Sequence, residues 1–449
     1  MTEAPIITNS PQLRRRFQVT VGGVVLAMVA IVGVGFFLSV MRPTLGTSRG
    51  PNYPRMGQYA SMRWNGEPFA HNGIIDTAEV VKLSKYDAII IDAARVGIRA
   101  DIQRLVRAKS SAVILLAYLD AGQPFQCGPG WYGGPVPEGC DTTGTSFAWS
   151  RWVAIGRDSG IVYSRLTGKP FGPYGLLTNF ARPGLADVLA DTIAAWVGEN
   201  GAFLDETCGT VLWEQNVHGD SIDFMRDGYT SLAEWDAAYQ TGFARFMERV
   251  RLRLGSRLFV GNCGPSGPSV VNGWMLENYP NQRGSTVEDY LAADTSYTKP
   301  TLNWLSAWRS SEYQGDFNNR RSARYALADA SLGGGVGALT GSQADGARGW
   351  LPWWWDEFAV NAQGIAVSDA ASRGWLGRPR GPAYRAGVCW RRDFTHGCVL
   401  VNPTWATVTL SVGDGYRRIL GSVSPDVNNG QPATSVALPP SDGLFLVHL

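Results

Sequence analysis

Acidic side chains end several short apolar runs of this 449-residue chain. Asp92 ends AIIID, Asp120 ends VILLAYLD, Asp205 and Glu206 end AFLDE, and Glu277 ends WMLE. Cleavage of a glycosidic bond requires a carboxylic acid that protonates the leaving oxygen and a second carboxylate about 5 to 9.5 Å away, which acts as nucleophile or base. We interpret Asp205 as the nucleophile and Glu277 as the general acid/base.

These carboxylates also have structural interpretations. Asp205 has the alternative of a solvated turn or a helix N-cap, and Asp92 and Asp120 have that of a cap on the helix that follows the strand. For Glu277 the alternative is an ion pair at the rim. Histidine chemistry has less support, because the four histidines are scattered without paired spacing, so that a zinc site and a histidine-based triad both lack parts. They are His71, His218, His396 and His448. We expect no metal and no cofactor.

Other polar and aromatic residues near predicted strand ends are candidates for contact with a substrate. Aromatic residues make up 11% of the chain and include 17 Trp, and such rings often form stacking surfaces for sugars, although core packing is the alternative. The substrate-contact candidates are Asp92, Asp120, Glu206, Tyr59, Asn262, Asn278, Tyr279, Trp308, Trp355 and Glu357.

The elements that would position these residues alternate along the chain from residue 56 to about 342. Eight apolar runs are separated by amphipathic helical stretches, which predicts a (β/α)₈ barrel, also called a TIM barrel, with active-site residues at the carboxyl ends of its strands. An open doubly wound sheet is the alternative, but no GxGxxG and no P-loop sequence supports its nucleotide-binding forms. The predicted strands are 56–62, 88–93, 113–119, 202–205, 258–262, 274–278, 302–308 and 336–340.

Two further features complete the predicted domain. Residues 231–254 form the clearest helix, with a capping-box pattern at Ser231 and Glu234 and a stop at Gly255. After residue 375 the apolar period becomes two, which predicts a small antiparallel domain. We assign 55–373 to the barrel and 374–449 to a β-sandwich-like carboxy-terminal domain.

The amino terminus predicts a membrane anchor. Three arginines, 14–16, precede an uncharged apolar run long enough to cross a bilayer. We predict a cytoplasmic segment 1–18, a transmembrane signal anchor 19–41 and a linker 42–54. The protein would then be a single-pass membrane protein with its main domains outside the cytoplasm, or a secreted protein if the segment is cleaved as a signal peptide.

The six cysteines agree with export, because their number is even and none lies in a metal-binding spacing. Sequence order suggests three disulfides, with buried free thiols as the alternative. The suggested pairs are Cys127 with Cys140, Cys208 with Cys263, and Cys389 with Cys398. The second pair would join the loops that follow strands four and five and would help to hold Asp205.

Charge alone names no partner. The 40 basic and 38 acidic residues are spread along the chain and give a formal net charge of +2. Without a basic stripe, nucleic acid is not an expected partner. The expected partners are a polysaccharide or oligosaccharide and the membrane, and the oligomeric state is left open.

The order of several strings gives the chain a family resemblance. Over most of residues 56–449 the chain resembles bacterial hypothetical glycosyl hydrolases, including barrels related to endo-α-1,4-polygalactosaminidases. The strings that carry the resemblance are IIIDA, LLAYLDAG, GAFLDE, WMLENYP, RYALADASLGGGVGAL, WWWDEF and RRDFTHGCVLVNPTWATVTL. The resemblance implies that a strand-four Asp and a later-strand Glu perform the chemistry, which correspond here to Asp205 and Glu277. It also implies retention and α-linked sugars, while Glu206 directly after Asp205 departs from the commoner ending.

We therefore expect an extracytoplasmic, membrane-anchored glycoside hydrolase that is specific for an α-linked polysaccharide. Two alternatives are a non-catalytic carbohydrate-binding barrel, in which the carboxylates are not paired, and a structural envelope protein, which presents a flat apolar surface to its partner.

Overall fold

The architecture is an eight-stranded parallel barrel followed by an antiparallel sheet. A computed structural model describes residues 51–61, 70–71, 74–92, 96–121, 162–168, 177–197, 200–213, 215, 221–263, 269–280, 286–311, 313–340 and 353–449. The barrel strands are β1 (Gly57–Ser61), β2 (Ala88–Asp92), β3 (Ile114–Asp120), β4 (Gly201–Asp205), β5 (Leu258–Gly261), β6 (Gly273–Glu277), β7 (Trp304–Trp308) and β8 (Val336–Thr340).

Each barrel strand pairs in parallel with the next one along the chain, in the order β1 to β8. A parallel bridge between Met56 and Gly337 joins β8 to the start of β1, so the sheet closes on itself. The predicted TIM barrel is confirmed, and so its strand ends meet at one face, which we call the mouth.

The barrel interior is filled by alternate side chains of the strands, as expected for a sheet that is buried on both faces. Trp304 is the largest of them, and Gly57 leaves the space that its ring needs, because a Cβ at Gly57 would lie 2.6 Å from Trp304 Cζ2. The other members of this core are Ala88, Ile90, Leu116, Tyr118, Phe203, Val260, Met275, Leu302, Val336 and Ala338.

Helices cover the outside of the barrel. They are α1 (Thr77–Leu83), α2 (Val96–Lys109), α3 (Leu185–Trp196), α4 (Leu232–Leu254), α5 (Val287–Ser296) and α6 (Phe317–Leu332). The predicted start of α4 is confirmed, since the Ser231 hydroxyl accepts from the Glu234 amide at 3.2 Å. Trp235, Tyr239 and Phe243 on α4 are buried, as their spacing predicts.

The carboxy-terminal part is antiparallel. Its strands are β9 (Tyr384–Ala386), β10 (Cys389–Asp393), β11 (Gly397–Asn402), β12 (Val408–Ser411), β13 (Tyr416–Arg418), β14 (Ser435–Leu438) and β15 (Asp442–His448). Five of them form a sheet in the order β9, β10, β11, β15, β13, and β12 pairs with β14. The predicted antiparallel fold is confirmed here, whereas the exact domain boundary stays a prediction.

Buried polar contacts attach this sheet to the barrel. On α6, Arg324 forms a bidentate ion pair with Asp442 of β15, at 2.9 and 2.7 Å. Asp356, which follows β8, accepts hydrogen bonds from the backbone amides of residues 422–424. These buried polar groups thus find their hydrogen-bond partners across the contact, as buried polar groups require.

Two of the predicted disulfides can be compared with the structure. Cys208 and Cys263 are bonded, with their Cα atoms 4.8 Å apart. Cys389 and Cys398 are buried free thiols, so that pairing is wrong. The register explains why: Cys398 lies opposite Asp393, four residues from Cys389, and four residues of a strand span about 13 Å, beyond the reach of a disulfide. Cys127 and Cys140 lie outside the described residues.

The predicted segments 1–18 and 19–41 also lie outside the described residues, as does most of 42–54. Within the described part of the chain, no helix combines the length and the apolar character needed to cross a bilayer. The anchor therefore stays a prediction.

Candidate active site

Three neighbouring strands bring together polar residues at their carboxyl ends. Asp205 lies two positions after Phe203 on β4, Asn262 two positions after Val260 at the end of β5, and Glu277 two positions after Met275 on β6. Because side chains alternate along a strand and the three apolar residues face the interior, the polar residues follow on the interior side at the mouth.

A single amide nitrogen joins the two predicted catalytic carboxylates. Asn262 Nδ2 donates to Asp205 Oδ1 at 2.8 Å and to Glu277 Oε2 at 3.2 Å. Since both oxygens bond one nitrogen, they can be no farther apart than roughly 6 Å, the two bonds laid end to end. Asp205 and Glu277 therefore form a close pair, joined through one hydrogen-bond donor.

Asp205 is held by hydrogen bonds from several directions. Tyr118 of β3 donates its hydroxyl to Asp205 Oδ2 at 2.7 Å, and the Glu206 amide donates to Asp205 Oδ1 at 2.9 Å. Together with Asn262, these donors fix the orientation of the carboxylate. Asp205 is thus suited to act as a nucleophile.

The surroundings of Glu277 favour its protonated form. Burial raises its pKa to about 7, the nearby charge of Asp205 adds to this rise, and the hydrogen bond from Asn262 opposes it. A carboxyl group that keeps its proton close to neutral pH can serve as a general acid. The two carboxyl groups thus differ in surroundings in the way that an acid and a nucleophile require.

The chain turns sharply after each of the three site residues. Glu206, Cys263 and Asn278 have φ angles of 52°, 73° and 51°, in the left-handed region that non-glycine residues rarely adopt. Backbone strain of this kind is often found at functional sites. Of the two consecutive acidic residues Asp205 and Glu206, it is Asp205 that faces Tyr118 and Asn262 at the mouth, since it accepts hydrogen bonds from both.

Two aromatic candidates lie on the interior side. Tyr59 of β1 is partly exposed and makes an edge contact with Tyr118, with ring centroids 5.7 Å apart. Trp308 ends β7 on the same side as Trp304 and is also partly exposed. Both can contact a ligand in the mouth, and this role stays a prediction.

Three other candidates lie elsewhere, and their assignment to substrate contact is corrected. Tyr279 is 1% exposed and donates its hydroxyl to Asp329 of α6, because the left-handed turn at Asn278 directs the chain outward. Trp355 is 3% exposed and belongs to the core outside the barrel. Glu357 is equally buried and accepts from Asn428 Nδ2 at 2.8 Å, in the contact with the carboxy-terminal part.

Asp92 and Asp120 end β2 and β3, with Asp120 in register with Asp205. The structure describes only the backbone of these two residues, so their predicted substrate contacts stay untested. Asn278 and Glu206 are partly exposed beside the pair.

Sequence reasoning missed Tyr118 as a site residue. Its signal was present, because Tyr118 precedes Asp120 by two positions and so shares the interior face of β3. Reasoning from strand ends alone selects the last residue and overlooks the ring one layer deeper. Among the described residues, no group of three His, Cys, Asp or Glu side chains could hold a metal ion.

The barrel holds two neighbouring carboxyl groups at its mouth, and paired carboxyl groups are what glycoside hydrolysis requires. Residues 190–398, a little under half of the chain, match the model of the family described as hypothetical glycosyl hydrolase family 15. This match confirms the predicted resemblance and the class of glycosidases. The relation to polygalactosaminidases stays a prediction, and no curated protein matches the chain.

Solved structures that resemble the chain are distant from it in sequence. The glycoside hydrolase domain of PelA from Pseudomonas aeruginosa is 16% identical, with 65% of this chain and 95% of that domain covered and a TM-score of 0.36. An α-amylase from Anoxybacillus is 10% identical, with 88% and 98% covered and a TM-score of 0.47. The cyclic α-maltosyl-(1→6)-maltose hydrolase from Arthrobacter globiformis is 13% identical, with 89% and 100% covered and a TM-score of 0.42.

Proposed function

We propose that the protein is a retaining glycoside hydrolase, anchored in the cytoplasmic membrane, that cleaves an α-linked polysaccharide on the extracytoplasmic side. The observation that carries the chemistry is the pair of carboxylates joined by Asn262. Retaining enzymes have carboxyl groups about 5 to 5.5 Å apart, whereas inverting enzymes leave room for a water molecule at about 6.5 to 9.5 Å. An upper limit of roughly 6 Å between the nearest oxygens favours retention.

The first step uses Glu277 as the acid. Its carboxyl proton passes to the glycosidic oxygen while the bond from that oxygen to the anomeric carbon breaks, and the bond's electron pair stays with the leaving oxygen. Asp205 Oδ attacks the same carbon and forms a glycosyl ester. Because its pKa is raised, the Glu277 carboxyl group still carries a proton near neutral pH, and the three donors around Asp205 hold the attacking carboxylate.

The second step reverses the role of Glu277. As a carboxylate it takes a proton from water, whose oxygen attacks the anomeric carbon and releases Asp205 as a free carboxylate. Two inversions at one carbon give net retention. A general acid that becomes a general base must titrate near the working pH, which agrees with a pKa of about 7.

The α-linkage rests on the family resemblance, and the location rests on the arginines at 14–16 before the apolar run. The disulfide between Cys208 and Cys263 suits an oxidising, extracytoplasmic compartment. Alkaline carbonate extraction of membranes tests the anchor: the full chain should stay with the lipid, and its release into the wash would contradict anchoring.

The reaction is tested with the full chain in mild detergent and a panel of α-linked polysaccharides. Proton NMR of the first products should show new α-anomeric reducing ends before mutarotation. Initial β-anomers would contradict retention. Glycan binding without cleavage of any member would instead favour the non-catalytic carbohydrate-binding barrel.

A further inference from the structure

Asn262 is almost completely buried between the two carboxylates and the loops that follow β4 and β5. It is 6% exposed, and its backbone amide donates to Thr207 Oγ1 at 3.0 Å. Its side-chain oxygen accepts from the Cys263 amide at 2.7 Å. Because the oxygen is already bonded to the following residue, the side-chain nitrogen must face the carboxylates.

The surroundings keep the amide in this orientation. Cys263 has a left-handed backbone with a φ of 73°, and its side chain is bonded to Cys208 in the loop after β4. The Thr207 hydroxyl also donates to the Asn262 carbonyl. The loops after β4 and β5 are therefore connected by a disulfide beside Asn262 and by hydrogen bonds to the backbone of Asn262 itself.

We propose that Asn262 is a positioning residue that donates one N–H to each carboxylate and so stabilises the negative charge whether it lies on Asp205 or on Glu277. This inference rests on the proposed function, in which the charge is on Asp205 in the free enzyme and on Glu277 in the glycosyl ester. In the free state the bond to Asp205 is the shorter, 2.8 against 3.2 Å. The nitrogen carries two hydrogens, so neither bond has to break when the charge moves.

The proposal can be tested without a substrate, because it predicts how the protonation of Glu277 changes with pH. The pH titration of Glu277 can be followed by carbon NMR of the full chain labelled at the glutamate side-chain carboxyl carbon. The Glu277→Gln variant identifies the signal. In Asn262→Ala, the midpoint should rise by about one pH unit, since the lost bond to a charged group is worth on the order of 1.5 kcal/mol.

The charge-following role is tested by repeating the change in an Asp205→Asn background, where position 205 is neutral as in the ester. Asn262→Ala should raise the Glu277 midpoint in this background as well, because the N–H that bonds Glu277 does not depend on a charge at position 205. No rise in this background would overturn the proposal, because the amide would then serve Asp205 alone.

Asn272 provides a matched control for general disturbance. It is also buried and bonded, to the carbonyls of Thr298 and Pro300, but it makes no bond to either carboxylate. Asn272→Ala should leave the Glu277 midpoint within about 0.3 of a pH unit. If Asn262→Ala does not fold, Asn262→Ser gives the same comparison.

An unchanged midpoint in folded Asn262→Ala would overturn the proposal directly. The titration does not depend on turnover, so its failure is distinguishable from failure of the hydrolase assignment. Absence of cleavage on every polysaccharide with the expected midpoints would reject the proposed function while leaving the shared donor in place.

Discussion

Replacing Glu277 by Gln should stabilise the folded protein at alkaline pH and have no such effect in acid. The pKa of Glu277 is raised from 4.5 to about 7 by burial and by the charge of Asp205. One pH unit corresponds to about 1.4 kcal/mol, so ionising this group in the folded protein costs about 3 kcal/mol more than in the unfolded chain. Gln has similar size and carries no charge.

The direction follows from proton binding. Between about pH 4.5 and 7 the folded protein holds a proton on Glu277 that the unfolded chain has lost, so the free energy of unfolding falls as pH rises through this window. Below the window both states are protonated and the loss is absent. Above it the loss is complete.

The assay is urea unfolding of the full chain and of Glu277→Gln at about pH 4 and about pH 8. The difference between the variants should be about 3 kcal/mol larger at the higher pH. Glu248→Gln, at an exposed position of α4, is the control and should show no pH-dependent difference. An equal difference at both pH values for Glu277→Gln would refute the reasoning on the site's electrostatics.

Two other predictions follow. Asp442→Ala removes the ion-pair partner of buried Arg324 and should lower the free energy of unfolding by about 3 to 5 kcal/mol. Asp426→Ala breaks the more exposed pair with Arg320 on the same helix and should cost about 1 kcal/mol or less. Equal losses in urea unfolding would contradict this prediction. Tyr118→Phe removes the hydroxyl bonded to Asp205 and should lower kcat/KM about tenfold to a hundredfold. An unchanged kcat/KM would exclude a role for this hydroxyl in the reaction.

The barrel and its carboxylate pair were predictable because both follow from local patterns. Buried parallel strands are continuous apolar runs, and the residue that ends each run lies at the mouth. Asp205 and Glu277 could thus be assigned to one face before their distance was known. The pattern does not show which donor lies between the two carboxylates. Asn262 comes from a neighbouring strand end, and the orientation of its side-chain amide depends on the hydrogen bond from Cys263.

The predictions were wrong where the direction of the backbone or the strand register determines the position of a side chain. Tyr279 lies two residues after Glu277, yet the left-handed turn between them directs its ring into the packing of α6. Cys389 and Cys398 are close in sequence, but the hairpin register separates them. Trp355 and Glu357 follow β8 by more than a dozen residues, and proximity to a strand end in sequence does not determine position over that length.

The central claim is that Asp205 and Glu277 form a catalytic pair, and reducing-end release by the full chain tests it most directly. On any α-linked polysaccharide that the wild type hydrolyses, Asp205→Asn and Glu277→Gln should each reduce the rate to background, with unfolding transitions as cooperative as in the wild type. Release that persists in either folded variant would contradict the pair.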